Sequence, residues 1–218
     1  MKIKTASVLA AAAILAASAS ATIVQVDIVG SVDFGGVPNG PWAGAFPGSP
    51  VVQSFQLDSN NFLDSGLFPV RGYEVIASSF SITINGHTAG MADPYPGGMT
   101  PYFVIRNDDP AVDGFFMTNN INGFEEGILT DEAANLDPTF GTIFNVAYEQ
   151  TRLDSLDILG AVGTYDFSGL SVFNWGLADS FVQPMGFIFD QWTISVVPAP
   201  AGLLALAPLG LMAGRRRR

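Results

Sequence analysis

The chemistry this chain could perform is narrow, because it holds one histidine, His87, and no cysteine among 218 residues. A serine hydrolase needs a serine hydrogen-bonded to that imidazole and a carboxylate orienting it. No Gly-x-Ser-x-Gly elbow is present to supply the serine. His87 follows the Asn85-Gly86 pair directly and reads as an exposed turn residue. Zinc sites need several His or Cys ligands, and one candidate is too few. Glycoside cleavage needs only two carboxylates. Glu125 and Glu126 are adjacent and would point to opposite faces of an extended chain, but they equally read as two solvated acids in a loop at 123–127.

Calcium is the one cofactor that the acid-rich turns suit. Asp58, Asn60 and Asp64 lie in one such stretch and Asp108, Asp109 and Asp113 in another, and hard Ca²⁺ takes clustered oxygens from turns of this kind. Phe62 stands where an EF-hand pattern starting at Asp58 would require an oxygen ligand, so the match to that loop fails. Asp and Asn also populate turns for backbone reasons alone. Five aromatics, Trp42, Tyr73, Tyr95, Tyr102 and Trp175, are candidates for a glycan-binding platform wherever they are exposed, and for core packing wherever they are not.

Charge narrows the partners. Between residues 22 and 197 the only cations of the Lys and Arg type are Arg71, Arg106 and Arg152, against all twenty acids, a formal charge of −17. A body so acidic repels phosphate backbones and anionic membrane surfaces, which argues against nucleic acid as a partner. Without cysteine there are no disulfide staples, so stability must come from burial. Seventeen phenylalanines supply much of it, each worth about 1.5–3 kcal/mol when its side chain is fully buried.

The two ends differ in kind from the body. Lys2 and Lys4 form a basic n-region, residues 6–17 an apolar h-region, and Ala19-Ser20-Ala21 a small-residue cleavage site, the organisation of a secretory signal peptide cut after Ala21. At the other end, Val197-Pro198-Ala199-Pro200 precedes an apolar run over 201–214, and then come Arg215, Arg216, Arg217 and Arg218. As a helix the run would span about 21 Å at ~1.5 Å per residue, short of a ~30 Å hydrocarbon core. The four arginines would stop it on one side of a bilayer, because carrying guanidinium through hydrocarbon costs several kcal/mol.

This tail resembles the C-terminal signal of bacterial PEP-CTERM proteins, in which a Val-Pro-Glu-Pro box precedes a hydrophobic segment and a basic cluster. Alanine replaces the usual glutamate here, as in the Val-Pro-x-Pro variants. The resemblance implies an exosortase as partner, a membrane protease-transpeptidase that cuts near the box and passes the body towards the cell surface. It further implies a β-rich body whose last strand carries a Trp-Thr pair, as Trp192-Thr193 does, and runs straight into the box.

The positioning elements are strands. Apolar and polar residues alternate over short runs bounded by Gly, Pro, Asn and Asp. Strands are expected at residues 23–29, 51–57, 80–84, 102–106, 114–118, 143–148 and 187–197. Val24, Val26 and Ile28 share one face, as do Phe80, Ile82 and Ile84, and as do Trp192, Ile194 and Val196. Asn85-Gly86 predicts a hairpin turn. Residues 35–50 and 92–101 are too rich in Pro and Gly for strands, and residues 130–135 predict a helical turn capped by Thr130.

The expected chain is therefore a signal peptide at 1–21, an all-β body at 22–197 forming an antiparallel β-sandwich of jelly-roll type, and a hydrophobic sorting helix in 198–218. The expected function is that of an exported, non-catalytic surface or extracellular-matrix protein, handled by signal peptidase and the secretion machinery and then by an exosortase. On this expectation the tail holds it transiently to the membrane as a transmembrane helix. A carbohydrate-binding module of the exopolysaccharide is the second reading, and a polysaccharide-active enzyme the third.

Overall fold

The computed structural model describes residues 21–108, 112–123, 127–134, 138–149, 152–179 and 182–198. Residues 1–20 of the signal peptide expected at 1–21, residues 199–218 of the sorting segment expected at 198–218, and the Glu125-Glu126 pair lie outside the described residues. What is described contains no α-helix and twelve strands. They are β1 (Ile23–Gly35), β2 (Pro50–Asp64), β3 (Val70–Val75), β4 (Ser81–Ile84), β5 (His87–Ala89) and β6 (Tyr102–Arg106), followed by β7 (Val112–Thr118), β8 (Ile128–Leu129), β9 (Gly141–Glu149), β10 (Gly163–Tyr165), β11 (Leu170–Asp179) and β12 (Val182–Val196).

The all-β, antiparallel expectation holds, but the division into two sheets does not. All twelve strands belong to one sheet, and eight of them close on themselves in the order β1-β12-β11-β9-β7-β6-β3-β2, with β2 pairing back onto β1. The result is a barrel, whose closure removes the free edges that a sandwich would have to protect. β1 lies between the two longest strands. It pairs with β2 from Ile23↔Asp58 to Ser31↔Pro50 and with β12 from Val24↔Val196 to Gly35↔Met185.

Each long strand shares its other edge between two shorter ones. Along β2, β4 takes residues 51–54 and β3 takes residues 57–64, with a 3₁₀ turn at Ala77–Ser79 joining them. Along β12, β11 takes the start and β10 takes Trp192 to Ile194. Such hand-overs arise where one strand outruns its neighbour, and they leave the barrel wall locally open.

The expected inward faces are largely correct. Val24, Val26, Ile28, Ile82, Ile84, Trp192 and Ile194 are all at most 1% exposed, whereas Val196 is 45% exposed because it lies where the barrel ends. The core is aromatic. Trp192 meets Phe115 at 4.7 Å and Phe144 at 5.4 Å edge-on and stacks on Tyr165 at 4.3 Å. Its indole N–H donates to the Tyr148 hydroxyl at 3.1 Å. Such pairs add about 0.5–1.5 kcal/mol each beyond area burial.

Asn85 and Gly86 take positive φ, +49° and +85°, the two-residue turn expected between β4 and β5. The helical turn expected at 130–135 is absent from residues 130–134. Thr130 instead bridges to Met91, and its hydroxyl donates to the Phe140 carbonyl at 2.9 Å while accepting from the Glu132 N–H at 3.3 Å. Its side chain does satisfy a following N–H, but the segment is held by sheet contacts.

Candidate functional site

The loop at 36–49 folds back into the core. Trp42 is 1% exposed, packs 5.7 Å from Phe140 and donates its indole N–H to the His87 carbonyl at 3.3 Å. His87, at the start of β5, presents its ring edge-on to Trp42 at 6.0 Å and places Nε2 2.5 Å from Glu132 Oε1. Both side chains are partly exposed. The imidazole is therefore bonded to a carboxylate rather than left free as a turn residue. Its described hydrogen bond runs to Glu132 and not to a serine, so the nucleophile–base contact of a triad is not formed.

Three of the acids considered for calcium, Asp58, Asp64 and Asp113, make hydrogen bonds within the fold. Asp58 accepts from the Asn60 N–H at 2.8 Å, an Asx turn. Asp64 takes both Arg71 Nε at 2.6 Å and Nη2 at 3.0 Å, and the guanidinium donating to it holds its carboxyl below the usual carboxylate range. Asp113 is buried. It accepts from the backbone N–H of Asp108 at 3.0 Å, of Leu153 at 2.7 Å and of Arg152, tying the β6–β7 connection to the segment after β9. Asp109 lies outside the described residues. Among the described residues no three His, Cys, Asp or Glu come together as metal ligands.

Of the five aromatics, Trp42, Tyr73 and Trp175 are each 1% exposed and belong to the core, so they offer no platform. The Tyr73 hydroxyl donates to the Leu156 carbonyl at 2.8 Å and accepts from the Ile158 N–H at 3.0 Å. Trp175 donates to Gln53 Oε1 at 2.9 Å. Tyr102 is half-buried against a small outer cluster of Val70, Val104, Phe116 and Ile121. Tyr95 lines a concave surface.

That surface is a groove of about 320 Å³ at the hand-over from β3 to β4, and its walls include Asn61, Glu74, Met91, Tyr95, Met99 and Thr100. β2 creates it. Leu57 pairs with Val75 and Phe62 with Tyr73, so the extra residues of β2 bulge out opposite Glu74. Asn61 from this bulge donates to Glu74 Oε2 at 3.0 Å. The opposite wall is the loop at 92–101. There the Tyr95 hydroxyl donates to Asn119 Oδ1 and accepts from the Leu129 N–H at 3.3 Å. Burial pushes the Tyr95 phenol up to about 12, so the ring stays neutral.

Sequence reading finds Tyr95 and the neighbouring Asn60 but misses Asn61, Glu74, Met91 and Met99. The available signal was the polar run at 58–61 inside an otherwise alternating strand, which marks a bulge as well as it marks a turn.

The ends of the body meet. Val24 pairs with Val196, the Val197 N–H donates to the Ile23 carbonyl at 2.8 Å, and Thr22 bonds Ser59 through both its N–H and its carbonyl. Ala21 and Pro198, the outermost described residues, are both exposed. Ala21 and the first half of the Pro box, Val197-Pro198, thus leave the barrel side by side. Ala19, Ala199, Pro200 and Arg215 to Arg218 lie outside the described residues. Among the described residues no helix is long and apolar enough to cross a membrane.

Comparison with known proteins finds no matching family model, no matching curated protein and no matching solved structure.

Proposed function

We propose that this chain is an exported bacterial surface or extracellular-matrix protein whose body is a non-catalytic barrel, cut after Ala21 by signal peptidase and near Val197-Pro198-Ala199-Pro200 by an exosortase. One observation carries the reading. Among the described residues Thr22 and Val197 are hydrogen-bonded to neighbouring strands beside the exposed Ala21 and Pro198, which supports a reading in which the expected cut points adjoin one end of the barrel. Val197, the first residue of the box, still donates to Ile23, whereas Pro198 has no N–H with which to continue the pairing. A protease working at a membrane surface can then reach the box without unfolding the barrel. The 201–214 segment and its arginines serve on this reading as a temporary anchor, and exopolysaccharide is the medium in which the freed body is retained. The non-catalytic reading draws on the single imidazole, paired to Glu132, and on the acids engaged in structural hydrogen bonds.

Mass spectrometry of the protein from cells with and without the exosortase tests this. Wild type is expected to begin at Thr22 and to lack Arg215–Arg218, whereas cells without the enzyme retain them. Replacing Pro198 and Pro200 together with alanine is expected to leave an uncut, membrane-bound form. Mature extracellular molecules that still carry the arginines would refute the processing scheme.

A further inference from the structure

The groove between the β2 bulge and the 92–101 loop has a composition of its own. One wall is the hydrogen-bonded pair of Asn61 and Glu74, which leaves the second carboxylate oxygen and the carboxamide oxygen as neighbouring acceptors. Lining the groove with them are Tyr95, Met99, which is 43% exposed, and Met91, which is 7% exposed and packed into the core. Directly behind Tyr95 and Thr100 stands Asn119. It is 5% exposed, its Oδ1 is taken by the Tyr95 hydroxyl, its backbone carbonyl by the Thr100 N–H at 3.1 Å, and its Nδ2 donor has no partner.

The chemistry selects a ligand class. No cation lines the groove and Glu74 is its one ionised group, so phosphate, sulfate and uronate are repelled. An organic ammonium would ask for several aromatic faces around it, and only one ring is present. Paired acceptors beside one aromatic face and two thioethers match a neutral sugar, whose hydroxyls lie at the rim of its ring and whose C–H groups form an apolar face. A volume of about 320 Å³ is at the lower end of the ~300–1,000 Å³ usual for small-molecule sites.

We propose that this groove binds a neutral sugar unit of a polysaccharide, with Asn61 and Glu74 accepting from adjacent hydroxyls and Tyr95, Met91 and Met99 packing on the C–H face. The site rests on reading the body as a matrix-facing module. Its test is read on binding and not on chain ends, so processing and binding can each fail alone.

The test is titration calorimetry of the full chain, purified in detergent, with tetramers of glucose, mannose and xylose, and with oligogalacturonate and chitosan oligomers as anionic and cationic controls. At least one neutral tetramer is expected to bind with Kd on the order of 0.1–1 mM. Asn61→Ala, Glu74→Ala and Met99→Ala are each expected to weaken it about tenfold or more. Unchanged melting midpoints in Asn61→Ala, Glu74→Ala and Met99→Ala guard against a loss caused by misfolding. An unchanged melting midpoint in Glu74→Gln provides a second guard. Absence of heat with every neutral tetramer at about 10 mM, wild-type affinity in the Asn61→Ala/Glu74→Ala double variant, or preference for either charged control would overturn the assignment.

Discussion

Gln53 brings donors and an acceptor into the middle of an aromatic interior. It is fully buried, accepts from the Trp175 indole at 2.9 Å, and donates to Met117 Sδ at 3.1 Å and Thr142 Oγ1 at 3.4 Å. Buried polar groups that find all their partners help specify one packing, and removing one partner strands the other. Gln53→Leu is therefore expected to cost about 1–3 kcal/mol, chiefly by orphaning the indole N–H. In a urea-melt double-mutant cycle, Gln53→Leu combined with Trp175→Phe should cost less than the two single changes together. Strict additivity would refute the coupling. Core packing of Trp175 was among the sequence expectations, but Gln53 was not, since a glutamine between Val52 and Ser54 reads as an outward strand residue. Asp113 is a related case: an acid that suits calcium by composition is used by the fold to collect backbone N–H groups.

Two of the elements missed by alternation, β3 and β11, contain glycine within their runs, and β12 begins its expected run just after one. Gly186 of β12 lies under the ring of Phe34 from β1, so close that a Cβ there would be 2.1 Å from the ring. Phe34, 51% exposed, reads in sequence as an apolar residue out of place, yet its ring covers glycine backbone that would otherwise be bare. Gly186→Ala is expected to destabilise the barrel by about 1 kcal/mol by displacing that ring. In a Phe34→Ala background the same change should become neutral or stabilising, because the obstacle is gone and alanine restricts the unfolded chain. Equal costs in both backgrounds, measured by thermal melting, would show that the ring is irrelevant. A Cβ on Gly72 of β3 would likewise meet Ile121 at 2.8 Å and the Tyr102 ring at 3.0 Å. A glycine covered in this way looks like a strand breaker in sequence and behaves as a packing site in the fold.

The closed barrel concentrates its phenols inside, and this sets its behaviour at high pH. Burial raises Tyr73, Tyr95, Tyr148 and Tyr165 above the ordinary phenol value. The folded state thus keeps protons that the unfolded chain loses above about pH 10. With fewer protons bound in the unfolded state, the slope of stability against pH is negative there. This contribution is complete below about pH 10 and is lost as pH rises towards the folded-state values. The melting midpoint is expected to fall progressively above about pH 10, with most tyrosinate absorbance appearing together with unfolding. Full ionisation in a protein that still melts cooperatively would contradict the burial of these rings.

Local information was enough for the strand-rich character, the inward faces of β1, β4 and most of β12, the Asn85-Gly86 turn and the compositional break at both ends of the body. Each of these depends on neighbours within a few residues, where side-chain period and backbone sterics act directly. Closure into a barrel, the hand-overs along β2 and β12 and the groove lined by Asn61, Glu74 and Tyr95 depend instead on which strands pair across long separations. Alternation specifies that a face is buried and not against what, so one sheet closing through β1 and β2 and two sheets packed face to face ask for the same pattern until the pairing is known.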